Sequence, residues 1–265
     1  MIFFLHIPKT AGTTFYDVVK NNHVQLLKPK IDESPVNYLN TNLVYNNTAI
    51  RLPGGYNSAP QTLRIIEKLS SGVLKKIAFI GGHVGYGFHE NYSEEIQYIS
   101  FVRHPRERLF SDYKEHCKKG RYFYEDLREN NFEFNAYLKQ VKKDGLDNIL
   151  TRQLAGPFDF FLNERRPTDK ALLERAKENC NSILFFELEH FDEALLYMKK
   201  QYGWKNINYR IRNQSSIINT DFEIDENLLN NMIKYDLELY SAIKTRRFKR
   251  KSFIDRFFGD KSHLI

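Results

Sequence analysis

The sequence predicts an α/β fold in which a central parallel sheet is flanked by helices. Short apolar runs alternate along the chain with segments of helical periodicity, which is the pattern of strands joined by crossover helices. Three of the four apolar runs end in polar, glycine-rich or arginine-rich turns. The 265 residues, of which 42% are hydrophobic, suit one globular domain over residues 1–265. This composition excludes disordered and collagen-like proteins.

The first strand and helix are the clearest of these elements. Residues 2–7 form an apolar run with a single polar residue, which is typical of a strand buried on both faces of a parallel sheet. A helix is expected at residues 13–20, because Phe15, Val18 and Val19 recur there at helical spacing. The chain therefore begins with a strand, a tight turn and a helix.

The remaining elements follow from the same kind of periodicity. Residues 21–61 contain eight asparagines and show little periodicity, so irregular loops that could line a substrate cleft are expected there. Further strands are expected at 77–80, 96–102 and 183–186. Pro105 suits the first turn of a helix because its φ angle is fixed near the helical value. Helices are expected at 60–71, 105–119, 132–142, 147–155, 168–179, 190–202 and 225–247.

The charge of the chain is basic and unevenly distributed. Forty Lys and Arg residues against 33 Asp and Glu give a formal charge of +7, and six of the eight residues 244–251 are Lys or Arg. Such an excess favours anionic partners but does not choose among them. One hypothesis is a nucleic-acid-binding module that uses the basic tail, residues 244–265. The simpler interpretation is a solvated helix end with cations at its negative dipole, and no nucleic-acid partner is then expected.

Several classes of protein are not indicated by this sequence. No apolar run approaches the roughly 18 residues of a membrane-spanning helix, so no integral membrane segment is expected. The first residues carry neither a basic leader nor a small-residue cleavage site. Cys117 and Cys180 are too few for a disulfide framework or a four-ligand zinc site, and no metal is expected. We therefore expect a cytoplasmic protein of bacterial type, with its oligomeric state left open.

Residues 6–15, HIPKTAGTTF, follow one predicted strand and open one predicted helix. That context favours a phosphate-binding loop. Lys9 supplies a mobile positive charge, and Gly12 lets the backbone approach an anion closely. The N–H groups of Gly12, Thr13 and Thr14 are expected at the positive end of the helix dipole. The segment is not a Walker A motif, because its lysine precedes the glycine. The alternative is an ordinary turn in which Thr13 caps the helix.

A second segment, residues 101–113 with the sequence FVRHPRERLFSDY, has the same strand-then-helix context. Arg103 ends the strand, and Ser111 lies about two turns into the helix. An arginine offers a bidentate fork to a phosphate, and a hydroxyl can complete the contact. Arg106 and Arg108 are expected to be solvated charges of this helix, paired with Glu107 and Asp112.

Together, the two segments resemble the two cofactor-binding signatures of sulfotransferases that use 3′-phosphoadenosine 5′-phosphosulfate (PAPS). More narrowly, they are similar to the carbohydrate sulfotransferase family that includes the heparan sulfate 2-O- and 6-O-sulfotransferases. Segments 147–156, 183–195 and 212–216 resemble the same family. The resemblance implies a P-loop-like three-layer fold and PAPS as the sulfuryl donor, with adenosine 3′,5′-bisphosphate as the product. It also implies a hydroxyl acceptor, usually of a glycan, although lipid, peptide and small-metabolite acceptors stay open.

The resemblance assigns phosphate contacts to particular residues of this chain. The first signature holds the 5′-phosphosulfate in the family, and its positions here are Lys9, Thr10, Ala11, Gly12, Thr13 and Thr14. The second holds the 3′-phosphate, which places Arg103 and Ser111 beside it. The later segment places Arg212 and Ser215 near the cofactor. Lys9 is also expected to act in catalysis, by stabilising the leaving oxygen.

The third motif, residues 81–90 with the sequence GGHVGYGFHE, supplies a candidate general base. His83 follows a predicted strand, and imidazole has a pKa that suits proton removal near neutral pH. Members of the resembled family carry a histidine or glutamate base near this part of the chain. His89 and then Glu90 are the alternatives, and a purely structural His83 is the other hypothesis. His6 and His104 are expected to be packing or loop residues.

A P-loop-type nucleotide kinase is the alternative enzyme. The strand, loop and helix at the N-terminus favour it. The position of the lysine argues against it, as does the absence of a clear Walker B carboxylate at the end of a later strand. The sequence therefore predicts a sulfotransferase first, then a kinase, then a nucleic-acid-binding module.

Overall fold

The computed structural model describes residues 1–30, 35–53, 71–87, 95–156, 168–211 and 223–258. For residues 35, 71 and 246–258 it describes the backbone alone. Six strands form one sheet in the order β2-β3-β4-β1-β5-β6, and every neighbouring pair is parallel. The strands are β1 (Ile2–Leu5), β2 (Gln25–Leu27), β3 (Thr48–Arg51), β4 (Ile77–Gly82), β5 (Gln97–Val102) and β6 (Ile183–Glu187). The predicted α/β class is confirmed.

Ten α-helices lie within the described residues. They are α1 (Gly12–Asn22), α2 (Pro35–Asn42), α3 (Ser71–Leu74), α4 (Pro105–His116), α5 (Tyr124–Glu129), α6 (Phe134–Lys143), α7 (Ile149–Ala155), α8 (Lys170–Asn179), α9 (Phe191–Tyr202) and α10 (Glu226–Phe258). Short 3₁₀ turns at Cys180–Ser182 and Leu188–His190 precede and follow β6. Asp169 caps α8, since its carboxylate accepts the Leu172 N–H at 2.7 Å.

The sheet separates two apolar cores, which makes the architecture three-layered. Phe3 and Leu5 of β1 pack in the core with α4, α6, α7, α8 and α10. Ile2 and Phe4 pack on the other face, where α1 and α9 contribute Phe15 and further apolar side chains. Successive side chains of a strand point to opposite faces, so the apolar run of β1 fills both cores. This central strand fixes where the loop that follows it emerges.

Residues 21–61 are more regular than expected. They contain β2, α2 and β3, so the prediction of irregular loops there is wrong for the described part of the segment. Strands of three and four residues are too short to show a period, and Thr48 of β3 is polar yet fully buried. The first strand also ends at Leu5, two residues earlier than expected. The helix expected at 60–71 lies almost wholly outside the described residues.

The C-terminal helix is longer than the sequence indicated. It was expected to end at 247, but α10 runs to Phe258. Residues 244–251 therefore lie within a helix and not at its end. The favourable effect of a helix dipole on cations is confined to the last turn. The interpretation of this basic run as a helix end is therefore wrong.

Candidate functional site

All six strands are parallel, so their carboxyl ends form one edge of the sheet, and β1 lies there between β4 and β5. The connection after β1 leads to β2 on one side of the sheet, whereas the connection after the neighbouring β5 leads to β6 on the other side, and such switch points bind ligands in open α/β sheets. The edge carries, strand by strand from β3 to β5, Arg51, His83, Lys9 and Arg103. Neighbouring strands are about 4.8 Å apart. The structure therefore brings the predicted residues Lys9, His83 and Arg103 to one edge.

The β1–α1 loop, residues 6–11, has an unusual backbone. Lys9 and Ala11 have φ angles of 68° and 59°, in the left-handed region that residues with a Cβ rarely occupy. Each costs of order 1 kcal/mol, and such strain is typical of functional sites. The Thr10 hydroxyl donates to the Ile7 carbonyl at 2.8 Å and braces the loop from inside. Left-handed Ala11 followed by helical Gly12 is a backbone alternation that gathers N–H groups around an anion.

The helix that follows this loop begins without a side-chain cap. Ala11 is the N-cap residue of the 11-residue helix α1, and its methyl side chain makes no cap hydrogen bond. The first N–H groups of any helix lack an acceptor inside the helix, and they carry the positive end of its dipole. Thr13 is the second residue of the helix, so the alternative in which Thr13 caps an ordinary turn is wrong.

Gly12 is required by the packing of His6. A Cβ built on Gly12 would lie 1.9 Å from Nε2 of His6. The His6 ring is stacked between the rings of Phe4 and His83, with distances between ring centres of 5.2 Å and 4.1 Å, so it has little room to move away. A glycine at this position thus lets the start of α1 lie directly against His6.

Replacing Gly12 with alanine is expected to lower the free energy of unfolding by about 1–3 kcal/mol, because the new methyl group overlaps a ring that is held on both sides. Urea unfolding monitored by circular dichroism measures this. Gly72→Ala is the matched control: it lies in α3 with no described atom within 4 Å of the added Cβ, and it should leave stability unchanged or raise it slightly. Equal stability of Gly12→Ala and the wild type would contradict the packing described.

His83 is held in one tautomer by the end of β1. Its Nδ1 lies 2.7 Å from the carbonyl oxygen of His6. A carbonyl oxygen can only accept, so Nδ1 carries the proton and Nε2 keeps its lone pair. The hydrogen bond and the stacking on His6 together fix the plane of the His83 ring. The free nitrogen of a partly buried imidazole is the arrangement a general base requires.

The surroundings of His83 keep it neutral. Burial lowers the pKa of His83 to about 4, and the positive charges of Arg51 and Lys9 act in the same direction. The hydrogen bond to His6 and the charge of Asp112 oppose this shift without cancelling it. Burial and the neighbouring charges also lower the pKa of His6 well below its ordinary value. The His83 imidazole is thus unprotonated across the neutral pH range, and its pKa lies below the near-neutral value that the sequence led us to expect.

Gln153 is a buried residue that fastens this arrangement and that sequence reasoning missed. Its Nε2 donates to the His6 carbonyl at 3.2 Å and to the Val84 carbonyl at 3.0 Å. Its backbone carbonyl accepts the Tyr86 N–H at 2.9 Å. One side chain of α7 therefore ties β1 to the turn that contains His83. The contacts span 147 and 69 residues of chain, so no local signal could have indicated them.

Lys9 contacts the helix that follows β5. Its Nζ lies 3.3 Å from Oε2 of Glu115 on α4. Ser111 lies one helical turn before Glu115, and residues four apart share a helix face. The β1–α1 loop and the predicted Ser111 are thereby placed on the same side of α4.

The charges of α4 are paired differently from the prediction. Arg103 donates from Nε to Glu107 at 3.1 Å in an exposed contact. Arg106 donates from both terminal nitrogens to Glu226 of α10, at 2.7 Å each, so the expected Arg106–Glu107 pairing is wrong. Arg108 is buried and not solvated, although it lies 3.9 Å from the expected partner Asp112. Within the described ranges the salt bridge of Arg103 is with Glu107, a weak surface partner that an anion can displace.

Arg51 is a second residue that sequence reasoning missed. It ends β3 beside Gly81 of β4, and its guanidinium lies 4.5 Å from the centre of the Tyr16 ring. Among the described residues no carboxylate lies within salt-bridge distance of it. The hydroxyl of Tyr16 is buried and has no hydrogen-bond partner in the described part of the protein. Arg51 was not predicted because β3 itself was not predicted.

Four predicted site residues lie outside the described residues: His89, Glu90, Arg212 and Ser215. His104, expected to be a packing residue, lies with its ring 5.6 Å from that of Tyr240.

No group of three or more His, Cys, Asp or Glu in the described ranges is placed to hold a metal ion. None of the described helices combines the length and the apolar character that crossing a membrane demands. Comparison with models of known protein families and with curated proteins finds no match.

Proposed function

We propose that this protein is a PAPS-dependent sulfotransferase that transfers a sulfuryl group to an acceptor hydroxyl. One observation carries the proposal. His83, with Nδ1 bonded to the His6 carbonyl and Nε2 unprotonated, directly follows β4. The neighbouring strand β1 leads into the start of α1, where the N-cap residue Ala11 has no capping side chain. A proton acceptor thus lies beside an anion-binding helix terminus, which is the pairing that transfer of a sulfuryl group to a hydroxyl needs.

The residues present fit the donor. Its 5′-phosphosulfate would be held by the N–H groups at the start of α1 and by Lys9, where the strained loop and the missing cap favour an anion. Its 3′-phosphate would be held by Arg103 and Ser111, at the end of the adjacent strand and on the helix after it. When bound, PAPS supplies an electrophilic sulfur and a bisphosphate leaving group.

Each residue of the edge then has a separate task. Nε2 of His83 accepts the proton of the acceptor hydroxyl. The Lys9 ammonium and the N–H groups of Gly12 and Thr13 stabilise the negative charge that develops on the leaving side. The reaction resembles phosphoryl transfer, in which catalysis comes mainly from positioning and electrostatics. None of these tasks uses a metal ion.

The acceptor and the location belong to the same proposal. A carbohydrate hydroxyl is the acceptor that the family resemblance favours, and a cytoplasmic location is the one that the sequence favours. A screen of glycan, lipid and phenolic acceptors with radiolabelled PAPS tests the first of these. Transfer to a glycan is the expected result, and transfer to none of the three classes would contradict the proposed activity.

The pH dependence of the reaction should reflect the low pKa of His83. Because the neutral imidazole is the base, kcat/KM is expected to stay level down to about pH 5 and to fall as the pH drops through about 4. Arg51→Gln removes a positive charge that lowers this pKa, so the acid limb should move to higher pH.

Arg51→Lys is the matched control for this shift, because it keeps the charge and should leave the limb near that of the wild type. The measurement is kcat/KM against pH at constant ionic strength. An acid limb near pH 6.5 in all three proteins would contradict both the lowered pKa of His83 and its dependence on the charge of Arg51.

Nucleotide preference separates the proposed activity from a kinase. Adenosine 3′,5′-bisphosphate without Mg²⁺ should raise the Tm of the protein, whereas ATP with Mg²⁺ should have a smaller effect. A larger shift with ATP and Mg²⁺ would support the kinase instead.

A further inference from the structure

Glu115 of α4 has no task in the proposed reaction, although it contacts Lys9. Its carboxylate accepts contacts from three cations: Lys9 at 3.3 Å, Lys118 at 2.8 Å and Arg121 at 2.5 Å. Only 19% of its side chain is exposed, and that of Lys9 is 22% exposed, while Lys118 and Arg121 are about half exposed. One carboxylate therefore gathers three positive charges beside the β1–α1 loop.

The three contacts are not equivalent. Lys118 and Arg121 lie in the turns directly after α4, so they are carried on the same part of the chain as Glu115. Lys9 comes from a loop 106 residues away in sequence and makes the longest of the three contacts. If Lys9 moves away, Glu115 keeps two cationic partners, so little free energy opposes the release of Lys9. The geometry makes Lys9 the exchangeable partner.

Glu115 is charged at neutral pH. Burial raises its pKa, but the hydrogen bond from Lys118 and the charges of Lys9 and Arg121 outweigh burial and lower the pKa to about 2. The carboxylate is consequently a permanent anion next to the lysine that is expected to meet the donor. It competes with any incoming anion for the same ammonium group.

We propose that Glu115 is a positioning residue that holds the Lys9 ammonium against α4 in the free protein and yields it to the anionic group of the bound nucleotide. This inference rests on the proposed function, since it assumes that Lys9 contacts the donor. On binding, a phosphate or sulfate oxygen of the nucleotide replaces the Glu115 carboxylate at Lys9. Because this contact must first be broken, Glu115 weakens nucleotide binding. The same exchange, reversed, would help the product leave.

The test is a double-mutant cycle on binding and not on turnover. Isothermal titration calorimetry gives the Kd of adenosine 3′,5′-bisphosphate for the wild type, Glu115→Gln, Lys9→Met and the double variant. Glu115→Gln should bind about three- to fivefold more tightly, which is the effect on affinity of one partly buried ion pair. In the Lys9→Met background the same change should alter Kd by less than about twofold, because the competed ammonium is gone.

Glu174→Gln is the matched control. It makes the same change of charge on α8, in a helix-surface ion pair with Lys177, and should not change Kd. Thermal unfolding verifies that Glu115→Gln is folded, and Glu115→Ser serves for the same cycle if the amide is not tolerated. Unchanged or weaker binding by Glu115→Gln overturns the inference. An equal gain in nucleotide affinity in the presence and absence of Lys9 also overturns it, because the gain would then come from the change in net charge and not from Lys9.

Inorganic pyrophosphate, measured in the same cycle, separates this inference from the proposed function. If pyrophosphate gives the expected pattern of Kd values across the four proteins but the nucleotide does not bind, the proposed function fails and the role of Glu115 stands. If the nucleotide binds without the pattern, the role of Glu115 fails and the proposed function stands. Binding of neither probe by any of the four proteins overturns both.

Discussion

Replacing His83 with alanine is expected to lower turnover by about 10²- to 10⁴-fold, the usual contribution of a general base. The substitution removes the only nitrogen among Lys9, His83 and Arg103 that can accept a proton near neutral pH. The backbone of the β1–α1 loop and the start of α1 are left in place, so the affinity for adenosine 3′,5′-bisphosphate should change by less than about threefold. Steady-state kinetics and calorimetry on the same protein give the two numbers.

Arg103→Ala provides the comparison, because it should produce the opposite pattern. Loss of a guanidinium that contacts a phosphate should weaken nucleotide binding by about 10-fold or more and affect turnover at saturation much less. His190→Ala, an exposed histidine paired with Glu193, is the control for loss of an imidazole and should alter neither quantity. Equal losses of nucleotide affinity in His83→Ala and Arg103→Ala would contradict this division of roles.

Replacing Lys9 with methionine is expected to reduce turnover by about 10²- to 10³-fold, which is the range observed when one stabilising contact to a developing charge is removed. Methionine keeps the length and the apolar stem of lysine while removing the charge, so the left-handed backbone at position 9 faces the same steric demand. Nucleotide affinity should fall as well, but by less than turnover. The reason is that negative charge on the leaving side is greatest in the transition state.

Lys118→Met is the matched control for Lys9→Met. Lys118 contacts the same Glu115 carboxylate but lies on the exposed side of the cluster, so its loss should lower turnover by no more than about twofold. A comparable loss in both variants would show that the net charge of the cluster matters, and not the position of Lys9. Turnover of Lys9→Met close to that of the wild type would remove Lys9 from the catalytic machinery.

Much of the fold could be predicted because strong local patterns agree with the tertiary structure. The apolar run of β1 is buried on both faces of the sheet, as its lack of alternation indicated. Pro105 opens α4 at the first helical position, where its missing N–H costs nothing. By contrast, β2 and β3 are three and four residues long, and their burial comes from neighbouring strands and not from a pattern of their own. Short strands of this kind are set by tertiary context.

The residues of the candidate site also fall into two groups, those with a local sequence signal and those without one. Lys9, His83 and Arg103 could be placed together because each follows an expected strand, and parallel strands end at a common edge. Glu115, Gln153 and Arg51 could not be placed there. Glu115 and Gln153 reach the site through contacts that span 106 and 147 residues, and Arg51 ends a strand that the sequence does not reveal. Such partners are visible only once the chain is folded.

The central claim is that one bisphosphorylated nucleoside spans the ends of β1 and β5. A crystal structure of the protein with adenosine 3′,5′-bisphosphate tests it most directly. We expect the 5′-phosphate to accept hydrogen bonds from the N–H groups of Gly12 and Thr13, and the 3′-phosphate to contact Arg103 and Ser111. A nucleotide bound away from this edge, or one that touches Arg103 while the start of α1 contacts only solvent, would contradict the account.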